Sequence, residues 1–190
     1  MFDGVSGAFV ARIMAARNAE AEAEAVDILA PRASDAVLVI GSGPGVGLAI
    51  LAEKLPTGRC VGVDPSGVMI RQAERRCARY ISAGRVKLQQ TTAATIDALD
   101  ASFDGAIAVN SLQLCDPISE TAAELARVMK PGARMVSLTH DWAAERHAGS
   151  VASWTTQVGN ALSAHGFAGV KAGRGQAERG KIVLLTAERQ

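Results

Sequence analysis

The sequence predicts an α/β fold, a three-layer sandwich in which a mostly parallel, seven-stranded sheet lies between helices. Three observations carry that expectation. Val37-Leu38-Val39-Ile40 is a run of four branched apolar residues, which suits a strand buried on both faces of a parallel sheet. It passes directly into Gly41-Ser42-Gly43-Pro44-Gly45-Val46-Gly47, where glycines let the backbone turn sharply and approach a ligand. A second strand-like run then ends in Asp64, about twenty residues beyond the turn, where nucleotide-binding sheets place an acid.

Ahead of the first strand, Phe2, Val5, Phe9, Ile13, Val26 and Leu29 recur at roughly helical intervals through an alanine-rich stretch that ends before Pro31. This spacing predicts one or two helices, and the alanine and glutamate repeat from Ala19 to Ala25 reads as helix propensity rather than disorder. Residues 1–34 are expected to form a helical cap on a body spanning 35–190, a single compact domain overall. Past the glycine turn, a helix from Val46 to about Leu55 stops at Pro56-Thr57-Gly58, and Arg59 to Val63 forms the second strand. The next helix, Ser66 to Tyr80, carries Arg71, Arg75, Arg76 and Arg79 on what reads as a solvated face. Val86 to Gln90 and Phe103 to Val109 are the third and fourth strands, and Asp116-Pro117 opens a helix to about Met129. Lys130-Pro131-Gly132 ends it, and Arg134 to Thr139 is the fifth strand. His140-Asp141-Trp142 then leads through a polar interval to Ser150. A helix from Val151 to His165 stops at Gly166, and strands near Val170 and over Lys181 to Ala187 complete the chain.

Bulk properties narrow the partners. A 190-residue chain with 48% hydrophobic residues and a net charge of +1 is an ordinary globular domain, with no basic excess to hold nucleic acid. An aromatic content of 4% also argues against a surface that stacks on unpaired bases. Cys60, Cys77 and Cys115 are odd in number and lack metal-ligand spacing, so they read as reduced thiols of a cytoplasmic protein, with no metal site. Asp3 falls where a secretory signal carries positive charge, and no apolar run approaches a membrane span; neither export nor insertion is expected.

The glycine spacing separates two ligand classes. A dinucleotide fingerprint requires glycine or alanine where this chain has Val46. Together with three segments further along the chain, the turn resembles the class I S-adenosylmethionine-dependent methyltransferases. Val39 to Gly45 is similar to the family's first motif, and Val-Gly-Val-Asp64-Pro-Ser to the end of its second strand. Ser102-Phe103-Asp104 through Asn110 is similar to its fourth-strand segment, and Leu125 through Gly132 to the turn before its fifth strand. The resemblance spans roughly residues 35 to 187 and implies a Rossmann-like sheet whose last strand, Lys181 to Ala187, is antiparallel, with S-adenosylmethionine as cofactor and S-adenosylhomocysteine as product. It implies that Gly41, Ser42, Gly43, Gly45, Asp64, Pro65, Met69, Thr92, Ala93 and Asn110 hold the cofactor. Thr92 stands where similar enzymes usually carry an acid for the adenine amino group. The N-terminal helices either close over the cofactor or simply cover the sheet.

The residues read the same way. In open α/β sheets ligands sit beyond the carboxyl ends of the strands at the switch point, where the Gly41 to Gly45 turn, Asp64, Thr92 and Asn110 should converge from four strands. Asp64 either accepts both ribose hydroxyls or caps the following helix. Methyl transfer by in-line displacement asks the protein mainly for alignment and a dry cleft, and for a base only if the nucleophile carries a proton. His140 and Asp141 are the candidates for that base, with Trp142 and Tyr80 as aromatics for a planar acceptor. Asn110 is followed by Ser-Leu-Gln, which excludes the Asn-Pro-Pro-aromatic signature of enzymes acting on nucleobase or amide nitrogen. The expected acceptor is a small molecule methylated on oxygen, carbon or nitrogen, with the oligomeric state open. Two other readings compete: a non-catalytic protein that keeps the fold as scaffold or binding module, and a nicotinamide-dependent oxidoreductase, for which no Tyr-x-x-x-Lys pair is present.

Overall fold

The computed structural model describes residues 18–177 and 181–190; Phe2, Val5, Phe9 and Ile13 of the predicted N-terminal helix lie outside them. The first strand, β1 (Ala36–Ile40), is buried along its whole length, as its unbroken apolar sequence requires. It pairs in parallel with β2 (Arg59–Val63) on one side and β4 (Phe103–Val109) on the other. With β3 (Val86–Gln89), β5 (Met129–His140), β6 (Phe167–Arg174) and β7 (Ile182–Arg189) the seven-stranded order is β3-β2-β1-β4-β5-β7-β6. β7 runs antiparallel to both β5 and β6. The antiparallel last strand was expected; its position inside the sheet follows from burial. Ile182, Val183 and Leu185 are buried, while β6 is mostly exposed and takes the edge.

Alternation along β1 assigns the two helical layers. Val37 and Val39 point into a core with residues of α1 (18–29), α2 (Val46–Lys54) and α3 (Gly67–Ser82). Leu38 and Ile40 point the other way, toward α4 (Ile118–Val128) and α6 (Val151–Ala164). On α1, Ala21, Ala25 and Val26 are fully buried, so this helix is part of the packed core. Glu24 fastens it to the β6–β7 connection by accepting from the Gln176 and Ala177 N–H groups at 2.6 and 2.7 Å. Cys60 and Cys77 are buried in the same layer, and burial pushes the Cys60 thiol up to about 12.

Three expectations need correction. The segment after His140 is a helix, α5 (Asp141–Ala148), and not an irregular polar interval. Asp141 lies in its first turn, Ala143 and Ala144 are buried beneath it, and Gly149 closes it at φ 77°. β5 begins at Met129, which pairs with Phe103; the ladder is interrupted around Gly132 and resumes where Arg134 meets Gly105. Tyr80 does not face a ligand. It is buried on α3, and its hydroxyl donates to Glu53 at 2.9 Å.

Candidate active site

The carboxyl ends of β1, β2 and β4 open into a cleft of about 830 Å3. One wall is the glycine turn. Gly45 has φ 82°, and a Cβ there would stand 2.9 Å from the Ala73 Cα of α3, so its glycine serves close packing beneath the turn. Gly43 has φ 50°, borders the cleft, and a Cβ there would meet only the Gly41 carbonyl oxygen, at 3.9 Å.

Asp64 ties this turn to the end of β2. One carboxylate oxygen accepts from the Gly43 N–H at 2.9 Å and the other from the Ser66 N–H at 2.8 Å. The side chain of Ser66 caps α3 by accepting from Met69 N–H at 3.4 Å. The capping duty considered for Asp64 therefore falls to Ser66. Burial pushes the Asp64 carboxyl up from its ordinary range, opposed by the two backbone donors. It borders the cleft with lone pairs left for a ligand.

Asn110 forms the facing corner, in a left-handed conformation at φ 50°. Its Oδ1 accepts from the His140 backbone N–H at 2.9 Å and from the His140 Nδ1–H at 2.8 Å, and its Nδ2 donates to Asn18 Oδ1 of α1 at 3.0 Å. Three elements are thereby locked together at the carboxyl edge of the sheet. Beyond Asn110, Ser111 donates to the Ile40 carbonyl at 2.7 Å, and a short turn, Leu112–Leu114, carries the wall on toward Asp116, Glu120 and Thr121.

Of the residues singled out in the sequence, Gly41, Gly43, Asp64, Pro65, Met69, Thr92, Ala93 and Asn110 border the same cleft. Ser42 lies behind the turn at 1% exposure, and Gly45 packs on α3. Among the described residues that line the cleft, His140 and Asp141 do not figure. His140 is buried behind Asn110, and Asp141 pairs with Arg174 at 2.5 Å. Trp142 projects from α5 at 64% exposure rather than walling the cleft. β5 ends at His140, and the chain turns directly from it into α5.

Sequence reasoning missed Asn18 and Glu22, which bring α1 to the cleft. A signal existed. Glu22 stands at i and Val26 and Leu29 at i+4 and i+7, so an acid occupies the apolar stripe of the helix. It is 6% exposed, and burial pushes its carboxyl from 4.5 up to about 7 against the pull of the Gly47 N–H and the Arg76 charge. Among the described residues, no group of three or more His, Cys, Asp or Glu side chains gathers to hold a metal ion. No helix among them is long and apolar enough to cross a membrane.

A doubly wound sheet with a glycine turn, an acid on β2 and a cleft at the strand switch point defines a nucleotide-type cofactor fold. Comparison with known proteins makes it specific. The family model of a methyltransferase domain matches residues 37–132, half of the chain, which therefore belongs to that family, of the class I type that uses S-adenosylmethionine. The chain is 32% identical over 108 residues to O-methyltransferase cnsE of Penicillium expansum, covering 57% of this chain and 39% of that protein. It is likewise 32% identical over 108 residues to demethylmenaquinone methyltransferase of Symbiobacterium thermophilum, covering 56% and 43%. The chain thus matches about two fifths of the length of these relatives. In fold it is similar to a SAM-dependent methyltransferase structure from Aquifex aeolicus, at TM-score 0.73 and 19% identity, over 94% of this chain and 96% of that one.

Proposed function

We propose that this protein transfers a methyl group from S-adenosylmethionine to a small-molecule acceptor, on oxygen, carbon or nitrogen. The observation that carries the reading is the continuity of the cleft. Its glycine-turn half offers the uncrowded Gly43 and the Asp64 carboxylate that Gly43 holds in place, which suit a nucleoside, and its other half runs on past Asn110 to Leu114, Pro117 and Thr121. At about 830 Å3 it lies near the upper end of small-ligand sites, which leaves room for an acceptor beside a cofactor.

The cofactor supplies an activated methyl carbon and its own sulfonium leaving group. The chain's residues orient and exclude water. In this reading Gly41, Ser42, Gly43 and Gly45 form the turn against which the cofactor lies, Asp64 accepts from the ribose hydroxyls, and Pro65, Met69, Thr92 and Ala93 border the adenine. Asn110 keeps the cleft's corner in place. His140 acts as a positioning residue: its two donors fix the Asn110 carboxamide, so its contribution is through geometry and not through proton transfer to the acceptor. Asp141 in turn anchors the start of α5 to Arg174. The relatives that act on oxygen and on a menaquinone precursor support a phenol or quinol class of acceptor.

The test is formation of S-adenosylhomocysteine on incubation with methyl-labelled S-adenosylmethionine and separate sets of phenols, quinols, amines and carboxylic acids. Labelled product with a phenol or quinol supports the reading. Cofactor binding with no labelled product from any set favours the non-catalytic binding module.

A further inference from the structure

Glu22 is a buried carboxylate on the floor of the cofactor cleft that the methyl-transfer chemistry does not itself require. It borders the cleft together with Asn18, one turn earlier on α1, and the turn residues Gly41, Gly43 and Pro44. Its carboxylate lies against the first turn of α2. The Gly47 N–H donates to it, and any side chain at position 47 would collide with it. None of the described residues lining the cleft is lysine or arginine, and the charge of Arg76 reaches Glu22 only as a weaker influence than burial. A desolvated carboxylate with one backbone donor and no cation in contact is a poor way to stabilise a fold. It is a good way to receive a cation brought by a ligand.

S-adenosylmethionine carries two cations on its methionyl arm, the α-ammonium and the sulfonium. Methyl transfer discharges the sulfonium, so a carboxylate held against the sulfur would stabilise the reactant over the transition state and slow the reaction. The ammonium keeps its charge from S-adenosylmethionine to S-adenosylhomocysteine, and a carboxylate beside it strengthens binding without that penalty. We infer that Glu22 is the carboxylate that receives the α-ammonium of the cofactor's methionyl arm, at the junction of α1 with the glycine turn. Cofactor binding is thereby coupled to the docking of α1. The inference rests on the family's cofactor and not on the identity of the acceptor.

Calorimetric titration of wild type and E22Q with S-adenosylmethionine, S-adenosylhomocysteine and 5′-methylthioadenosine tests it, since the last compound has the adenosine but no amino-acid arm. The glutamine keeps an oxygen for the Gly47 N–H. The expected result is a loss of about 10- to 100-fold for both S-adenosyl compounds, the range of one charged hydrogen bond, with methylthioadenosine affinity unchanged. Equal loss for all three ligands assigns Glu22 a purely structural part and overturns the inference. Loss for S-adenosylmethionine alone places the carboxylate at the sulfonium and overturns it as well, as does unchanged binding of all three. Wild type that binds none of them overturns the cofactor assignment itself. Should E22Q not fold, E22D withdraws the carboxylate by one methylene and is held to the same three-ligand pattern.

Discussion

Two pairs of carboxylates, one pair at each end of the sheet, are held in opposite ways, while Asp141 at the carboxyl end of β5 has its own cation in Arg174. At the amino-terminal ends of the strands, Asp104 and Glu124 are paired with cations. Asp104 accepts from Lys130 at 2.6 Å and from the Ala36 N–H at 2.9 Å, and these partners outweigh burial to hold its carboxyl below the usual range. Glu124 is held low by Arg127, which also pairs with Asp100 at 2.8 Å and donates to the Ile96 and Ala98 carbonyls. At the carboxyl ends, Glu22 and Asp64 have backbone N–H donors and no cation within pairing distance among the described residues, and burial raises both. Paired acids hold the loops at the base of the sheet. In the proposed reading the missing partner of Glu22 and Asp64 is the cofactor, and the fold bears their desolvation cost until it arrives.

Each side of that contrast can be broken separately. The largest effect belongs to Glu22. Its folded carboxyl titrates near 7 against an ordinary 4.5, so between these values the folded chain holds a proton that the unfolded chain has released. Stability from this group is therefore complete below pH 4.5 and lost as pH rises through 7. E22Q should make the ligand-free protein more stable than wild type at pH 8 by up to about 3 kcal/mol, with the advantage gone at pH 5, as read from denaturant midpoints at the two pH values. Asp64 comes next. D64A should weaken S-adenosylmethionine binding by about 1.5 to 3 kcal/mol in calorimetry, the worth of hydrogen bonds to a charged group.

The paired end should show the reverse pattern. R127A should cost about 1 to 2 kcal/mol of stability, because it strips partners from Glu124 and two carbonyls, and leave cofactor affinity unchanged. Smallest is K130A, whose ion pair is half exposed, at about 0.5 to 1 kcal/mol in denaturant unfolding. Cofactor affinity that fell in R127A or K130A would erase the distinction between the two ends.

Much of this was legible in the chain. The strands themselves could be read from apolar runs such as Val37 to Ile40, which suit a doubly covered strand, and the spacing of the glycine turn separated the methyl donor from a dinucleotide, whereas the spatial order of the strands is supplied by the structure. The helix α5 was not legible, because its eight residues carry only two buried alanines and no apolar stripe. His140 reads as lying just past β5 on the ligand side, but the strand extends to include it and Asn110 engages its side chain, a long-range contact that spacing does not reveal. Glu22 went unread because an acid within an alanine-glutamate repeat looks solvated until the helix is docked. Its place in the apolar stripe was the available clue.

The claim that the carboxyl end of the sheet is an S-adenosylmethionine site is tested most directly by calorimetric titration of the wild-type protein with S-adenosylmethionine, S-adenosylhomocysteine and NADH in parallel. Saturable one-to-one binding of the two S-adenosyl compounds, with no heat from NADH, is the predicted result. Binding of NADH, or of none of the three, would contradict it.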